Sequence, residues 1–382
     1  MISKRTICAL IVAVAAVAAV SAGVTAQDQL PDLELVATAR MFPDVGAGLR
    51  AIHRDARGRY YVLTHNAPAV YVYNTKEKRL GQIPAHPSKD TALIAGSDFD
   101  LGANGYLYVA DQGANQVRIY DDDGRLAQSI AVTDPESVAA LPDGKLAVVG
   151  LQSNKLVEVL DRSGVQVSEF GDREQLSTRR ELNHSLNAGK LLADSAADLY
   201  YAFTYNPEPT VRRYDTTGKA SLEIELRTIE FYPAATTTRR QISENEEEDR
   251  HGNLVLRPVI NAFGVDPQSL DIWIAMDDEL AHFDRNGNRI GATYRTFVEQ
   301  DEDDVRFVPV SILVEPDRLV MASDPLGVYV FPRPDKAPGI DLTPSTASTP
   351  VPSTTPAASG PPESRTTTPP TIPQSSPQGQ PH

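Results

Sequence analysis

Gly105-Tyr-Leu-Tyr-Val-Ala-Asp-Gln-Gly-Ala-Asn-Gln-Val-Arg-Ile-Tyr-Asp-Asp-Asp-Gly124 is the stretch on which the fold turns. Tyr106-Leu-Tyr-Val109 is rich in aromatic and β-branched residues and reads as a strand. A polar loop, Asp111 to Asn115, leads to a second strand ending at Tyr120. Asp121-x-x-Gly124 then closes a tight turn, in which the Asp side chain caps its own backbone and Gly takes a positive φ. Upstream, Ser97-Asp-Phe-Asp100 supplies a preceding strand, and downstream Leu126-Ala-Gln-Ser-Ile130 a following one. Four short strands joined by tight turns make one small antiparallel sheet.

The same unit recurs from Leu33 to Pro332. First strands at Arg50, Ser97, Ser137, Lys190, Asn261 and Val310 lead into second strands at Tyr60, Tyr106, Leu146, Leu199, Ile272 and Leu319. Third strands end at Tyr73-Asn74, Tyr120-Asp121, Leu160-Asp161, Tyr214-Asp215, Phe283-Asp284 and Phe331-Pro332, spaced by 47, 40, 54, 69 and 48 residues. Repeats of this period with four strands each predict blades of a propeller. The fold class is therefore all-β, a six-bladed β-propeller of four-stranded antiparallel blades. The sixth copy lacks a fourth strand, while Leu33-Glu-Leu-Val-Ala-Thr-Ala-Arg-Met41 has no partners, so this N-terminal strand is expected to complete blade six and close the ring. Closure leaves no free edge.

With these residues in hand, the second copy resembles an NHL repeat, and residues 33–332 as a whole resemble six-bladed propellers of the NHL and SMP-30/TolB-like type. Blade one lacks the turn glycine and blade four the Val-Ala-Asp. The resemblance implies the fold; propellers of this kind host binders, scaffolds, lyases and lactonases, so it implies no single activity.

Three segments follow: 1–26 as a signal peptide, 27–335 as the propeller, and 336–382 as a disordered tail. Lys4 and Arg5 precede an apolar run from Ile7 to Val20, and Val24-Thr25-Ala26 offers small residues for cleavage. The stretch Thr6 to Ala26 is also long enough for an uncleaved anchor; cleavage is the expectation, with export to a periplasmic or extracellular location and no membrane span afterwards. Cys8, the one cysteine, falls in this leader. The tail holds 12 Pro, 9 Thr and 7 Ser, too few large apolar side chains to offset the entropy of ordering. The full chain carries a net charge of −15. Cleavage would remove Lys4 and Arg5 but no acid, and the acidic remainder argues against a nucleic-acid partner.

In such a ring the turns between strands one and two and between strands three and four share one face. The loops between strands two and three, and between blades, share the other. The second face carries the insertions and hence the candidate binding residues: Asp111, Asn115, Asn154, Tyr205, Asn206, Asp277 and Asp278. Two acidic runs join them, Glu244 to Asp249 (with Glu246 and Glu247) in the long insert 228–258, and Glu299 to Asp304 (with Asp303 and Asp304). Both read as loops over this face. They could attract a basic peptide or hold Ca²⁺, but neither has Ca²⁺-loop spacing with a turn glycine. His65, His86, His184 and His251 fall in loops of the same face and are the only candidates for Zn²⁺, though no two share a ligand-like spacing. His53 and His282 lie in strands and read as packing or edge residues.

No nucleophile-elbow, zincin or P-loop motif occurs. A lactonase of the SMP-30 type would be expected to place Glu-Gly-Pro at its first inner strand, where this chain has Leu49-Arg-Ala-Ile-His53, so no catalytic residue carries over. The reading is an exported, monomeric binding or scaffold module for a protein, peptide or glycan, with no cofactor. The alternative is a metal-dependent hydrolase or lyase with its site at the channel mouth.

Overall fold

A computed structural model of the chain describes residues 33–150, 153–226, 232–247, 256–300 and 303–336. The expected leader, and the tail beyond Lys336, lie outside the described residues. Six antiparallel sheets follow one another around a ring. Blade one comprises Leu49–Arg54, Tyr60–Thr64, Val70–Tyr73 and Arg79–Ile83. Blades two, three and four begin at Gly96, Pro135 and Gly189, and end at Ala131, Asp172 and Glu225. Blade five runs from Ala262–Val265 to the long outer strand Arg289–Gln300, and blade six from Ser311–Val314 to Gly327–Pro332. The first strands of successive blades pack against one another and line the central channel.

The second strands explain why the sequence is apolar on both parities. Every residue of Tyr60–Thr64, Leu107–Asp111, Leu146–Gly150, Leu199–Phe203 and Ile272–Met276 is buried, because each blade is covered by a neighbour on both faces. A separate apolar layer fills each of the six seams. Phe42, Tyr60 and Tyr73 cluster between blades six and one, and Trp273, Phe307 and Phe331 between blades five and six. Each such side chain contributes roughly 1.5–3 kcal/mol when taken out of water.

The turns form as their chemistry dictates. Asp121 Oδ1 accepts from the backbone N–H of Asp123 and Arg125 at 3.1 and 2.8 Å, and Gly124 sits at φ +76°. Asp161, Asp215 and Asp284 repeat this arrangement. Blade one, which lacks the glycine, uses Asn74 as the cap and holds Glu77 at φ +62° in its place. The side-chain cap thus preserves the turn where a non-glycine residue must take the left-handed conformation.

Ring closure is divided between two blades, which corrects the expectation of one continuous N-terminal strand in blade six. Ala39–Met41 pairs antiparallel with Gly327–Pro332 and is the fourth strand of blade six. Leu33–Val36 instead adds a parallel strand to the outer edge of blade five, Leu33 facing Tyr294 and Val36 facing Phe297. The chain changes sheets between Ala37, whose N–H donates to Phe297 O, and Thr38, whose N–H donates to Val330 O. Two sheets are therefore stitched by one segment. At the other end, buried Arg333 pairs with Asp266 at 2.6 Å and with Asp335, fastening the last strand to blade five.

Candidate functional site

The loop-bearing face is capped on one side by helices. Arg180–Leu186 forms in the connection from blade three to blade four, and Tyr232–Glu247 in the connection from blade four to blade five. Leu182 and Leu186 of the first meet Ile242 of the second, with Leu176, Tyr205 and Leu256 packed around them. This is an apolar layer outside the ring. The acidic run beginning at Glu244 is accordingly the last turn of a helix up to Glu247, and not a loop. Glu246 accepts from Ser177 Oγ at 2.6 Å and from Thr178 N at 3.2 Å, so it joins the two connectors; the Ser177 hydrogen bond, chiefly, holds its carboxyl below the usual range. Of Glu247 only its place at the helix end is described.

The second acidic run is corrected in the same sense. Asp303–Arg306 is a strand folded back on Arg289–Gln300, with Asp304 opposite Glu299 and Asp303 opposite Gln300. Asp303 and Asp304 are exposed. The two runs sit on different supports: Glu246 on the helix of the connector between blades four and five, bonded to Ser177 and Thr178 of the preceding connector, and Asp303 and Asp304 on the rim of blade five.

Several of the remaining loop residues are engaged internally. Asp111 is fully buried, pairs with Arg118 at 2.8 Å, and accepts from the N–H groups of Ile94 and Ala95. Asn115, in the left-handed conformation, accepts from Asp134 N at 2.8 Å and ties the same loop to the next connector. Asn206 is buried and accepts from Glu208 N. Asp277 and Asp278 form a two-residue turn; Asp277 pairs with Arg257 at 2.7 Å, and buried Asp278 lies 3.6 Å from Arg306. Asn154 is exposed, and Tyr205 is half-buried against the helical layer, its hydroxyl pushed up by burial.

The histidines do not assemble. His65 is half-buried and His86 exposed. His184 Nδ1 lies 2.6 Å from the Arg173 guanidinium, and burial with Arg173 and Arg180 pushes its pKa down to about 4. His251 lies outside the described residues. Among the described residues, no group of three or more His, Cys, Asp or Glu is placed to hold a metal ion. His282 stacks on Trp273 at 4.0 Å, as a packing residue should. His53 packs edge-on against Phe99, as the packing reading has it, and also lines the channel, 3.5 Å from Asp100.

The channel holds the ionisable cluster that sequence reasoning missed. His53, Asp98, Asp100, Glu136 and Lys190 all lie on first strands. Burial pushes Asp100 up to about 6 and Glu136 up to about 7, the latter with help from Asp134. Burial also raises Asp98 and lowers His53 and Lys190. Gln112 donates to Glu136 at 3.1 Å, and Arg50 and Lys190 act on it electrostatically. The signal was present in the sequence as a charged or ionisable residue within each of these four first strands.

Comparison with known proteins adds the fold's relatives. The chain matches no protein-family model and no curated protein. Solved structures do match. A catalytically inactive virginiamycin B lyase from Staphylococcus aureus with quinupristin aligns at 13% identity with a TM-score of 0.50, covering 76% of this chain and 82% of that one. The selenomethionine-substituted virginiamycin B lyase of the same organism aligns at 13% identity and TM-score 0.49 over 77% of this chain and 98% of that one. A streptogramin B lyase structure aligns at 11% and 0.49, over 77% and 86%. At such identity the likeness extends to the propeller fold. The NHL and SMP-30/TolB-like resemblance stands at that same coarse level, a six-bladed propeller without a matching family model.

Proposed function

We propose that this chain is an exported binding module that engages a protein, peptide or glycan through its loop-and-helix-bearing face. The observation that carries the reading is the helical layer built over one side of that face. Two connectors fold together around Leu182, Leu186 and Ile242, a construction that closing the ring does not require. Acidic side chains, Glu244 on the helix and Asp303 and Asp304 on the blade-five rim, remain exposed there and would steer a cationic partner. Export rests on the leader-like N-terminus.

The test is capture from an envelope extract at low salt with the purified chain and its E244Q/D303N/D304N variant. Glu246 is left intact because it holds the connectors together. Loss of captured partners with an unchanged melting midpoint supports the proposal; an identical captured set from both proteins overturns the acidic-face reading.

A second reading, a hydrolase or lyase at the channel mouth, is favoured by Glu136, a carboxyl that burial holds up at about 7 with Lys190 acting on it electrostatically. Its metal-dependent form finds no donor set among the described residues. Elemental analysis decides that form: stoichiometric Zn or Ca, lost on substituting His65 or His184, would establish it.

A further inference from the structure

Within the channel an open-mouthed cavity of about 280 Å³ is lined by the first strands of blades one, two, four, five and six. At ~30 Å³ per water it has room for about nine waters, hence for a molecule of about nine non-hydrogen atoms. Its polar wall includes Asp98 from blade two, Lys190 from blade four, His53 from blade one and Ser311 from blade six. Ile52, Phe263 and Ile312 contribute apolar surface.

The charged groups are held apart. Ser137 Oγ donates to Asp98 Oδ2 and accepts from Leu191 N at 2.9 Å, so one serine fixes the aspartate relative to the strand that carries Lys190. Lys190 Nζ donates to Val310 O at 2.7 Å, and among the described residues it makes no ion pair with a carboxylate. Asp98 likewise has no cationic partner in direct contact, although Lys190 and His53 act on it electrostatically. Asp98, which is buried, and Lys190, which is half-buried, thus attract one another across the pocket without touching, and neither charge is met by a direct ion pair. A simple anion would answer Lys190 while adding negative charge beside Asp98, and a simple cation would do the reverse. A small dipolar molecule carrying both charges answers both and leaves the net charge of the cavity unchanged.

We propose that the channel cavity binds a free α-amino acid with an apolar side chain. Its carboxylate sits on Lys190 Nζ, its ammonium on Asp98, and its side chain against Ile52, Phe263 and Ile312. Leucine and isoleucine have the matching size. This site is separate from the partner-binding face and stands or falls independently of it.

Titration calorimetry on the purified full chain tests the proposal with three probes that share one branched apolar side chain: L-leucine, 4-methylpentanoate (no amine) and 3-methylbutylamine (no carboxylate). Leucine is expected to bind at one per chain, at least 10-fold more tightly than either analogue. In Asp98→Asn the advantage over 4-methylpentanoate should vanish, and in Lys190→Met the advantage over 3-methylbutylamine. The three-probe comparison on the unmodified protein needs no variant to fold. Absence of leucine binding at 10 mM, or equal affinity for leucine and both analogues, overturns the proposal.

Discussion

Asp111→Ala should be among the most damaging single substitutions in the ring, although a loop aspartate facing solvent would tolerate it. The side chain is fully buried, and so is its partner Arg118 at 5% exposure. Removing the carboxylate leaves that guanidinium without its 2.8 Å ion pair and strips the N–H groups of Ile94 and Ala95 of their acceptor. Breaking a buried pair costs ~3–5 kcal/mol, and orphaned N–H groups cost ~1–3 kcal/mol each. These losses share partners and do not add, so about 4 kcal/mol is expected. With an unfolding entropy of roughly 2.1 cal/mol/K per residue over about 300 residues, the midpoint falls by about 6–7 °C. Scanning calorimetry measures it. The double variant D111A/R118M, which leaves no lone buried cation, should regain about 1–2 kcal/mol of that loss. A midpoint for Asp111→Ala within about 1 °C of the parent would refute the argument and return Asp111 to the recognition surface.

Glu136 binds its proton more tightly folded than unfolded, since burial raises it from the usual 4.5 to about 7. Its contribution is therefore fully present below about pH 4.5 and is lost as pH rises to about 7. Glu136→Gln should be more stable than the parent at pH 8 by on the order of 2–3 kcal/mol and nearly equal to it at pH 4; urea unfolding at both pH values checks this, and a pH-independent difference would contradict it. Deleting residues 27–41 removes strands from two sheets at once. The shortened protein should expose the edge of Gly327–Pro332 and self-associate, seen as higher mass in light scattering, whereas a chain deleted only to Val36 should stay nearer its parent mass.

The blades were legible because their determinants are local. Asp-x-x-Gly turns and all-apolar second strands state the strand order without reference to distant residues, and Asn74 with Glu77 shows the turn surviving loss of its glycine. The site was less so. Glu244 to Glu247 read as a loop because charge was weighed over periodicity, yet Ile242 packing on Leu182 and Leu186 selects a helix. Asp111, Asn115 and Asn206 carry the polar composition of recognition loops, but the same side chains that bind ligands also cap backbones, and composition does not distinguish the two.

By itself the sequence determined the number of blades, the strand order within each, and the use of the N-terminus to close the ring. Hydrophobic period and turn chemistry act over a few residues and leave their mark in the order of the letters. Only the tertiary structure decided that the N-terminal segment divides between Arg289–Gln300 and Gly327–Pro332. It alone decided that Asp111 turns inward, and that His53, Asp98 and Lys190, up to 137 positions apart in the chain, face one cavity. Those outcomes depend on which strands meet across the ring axis, and separation along the chain carries no trace of that meeting.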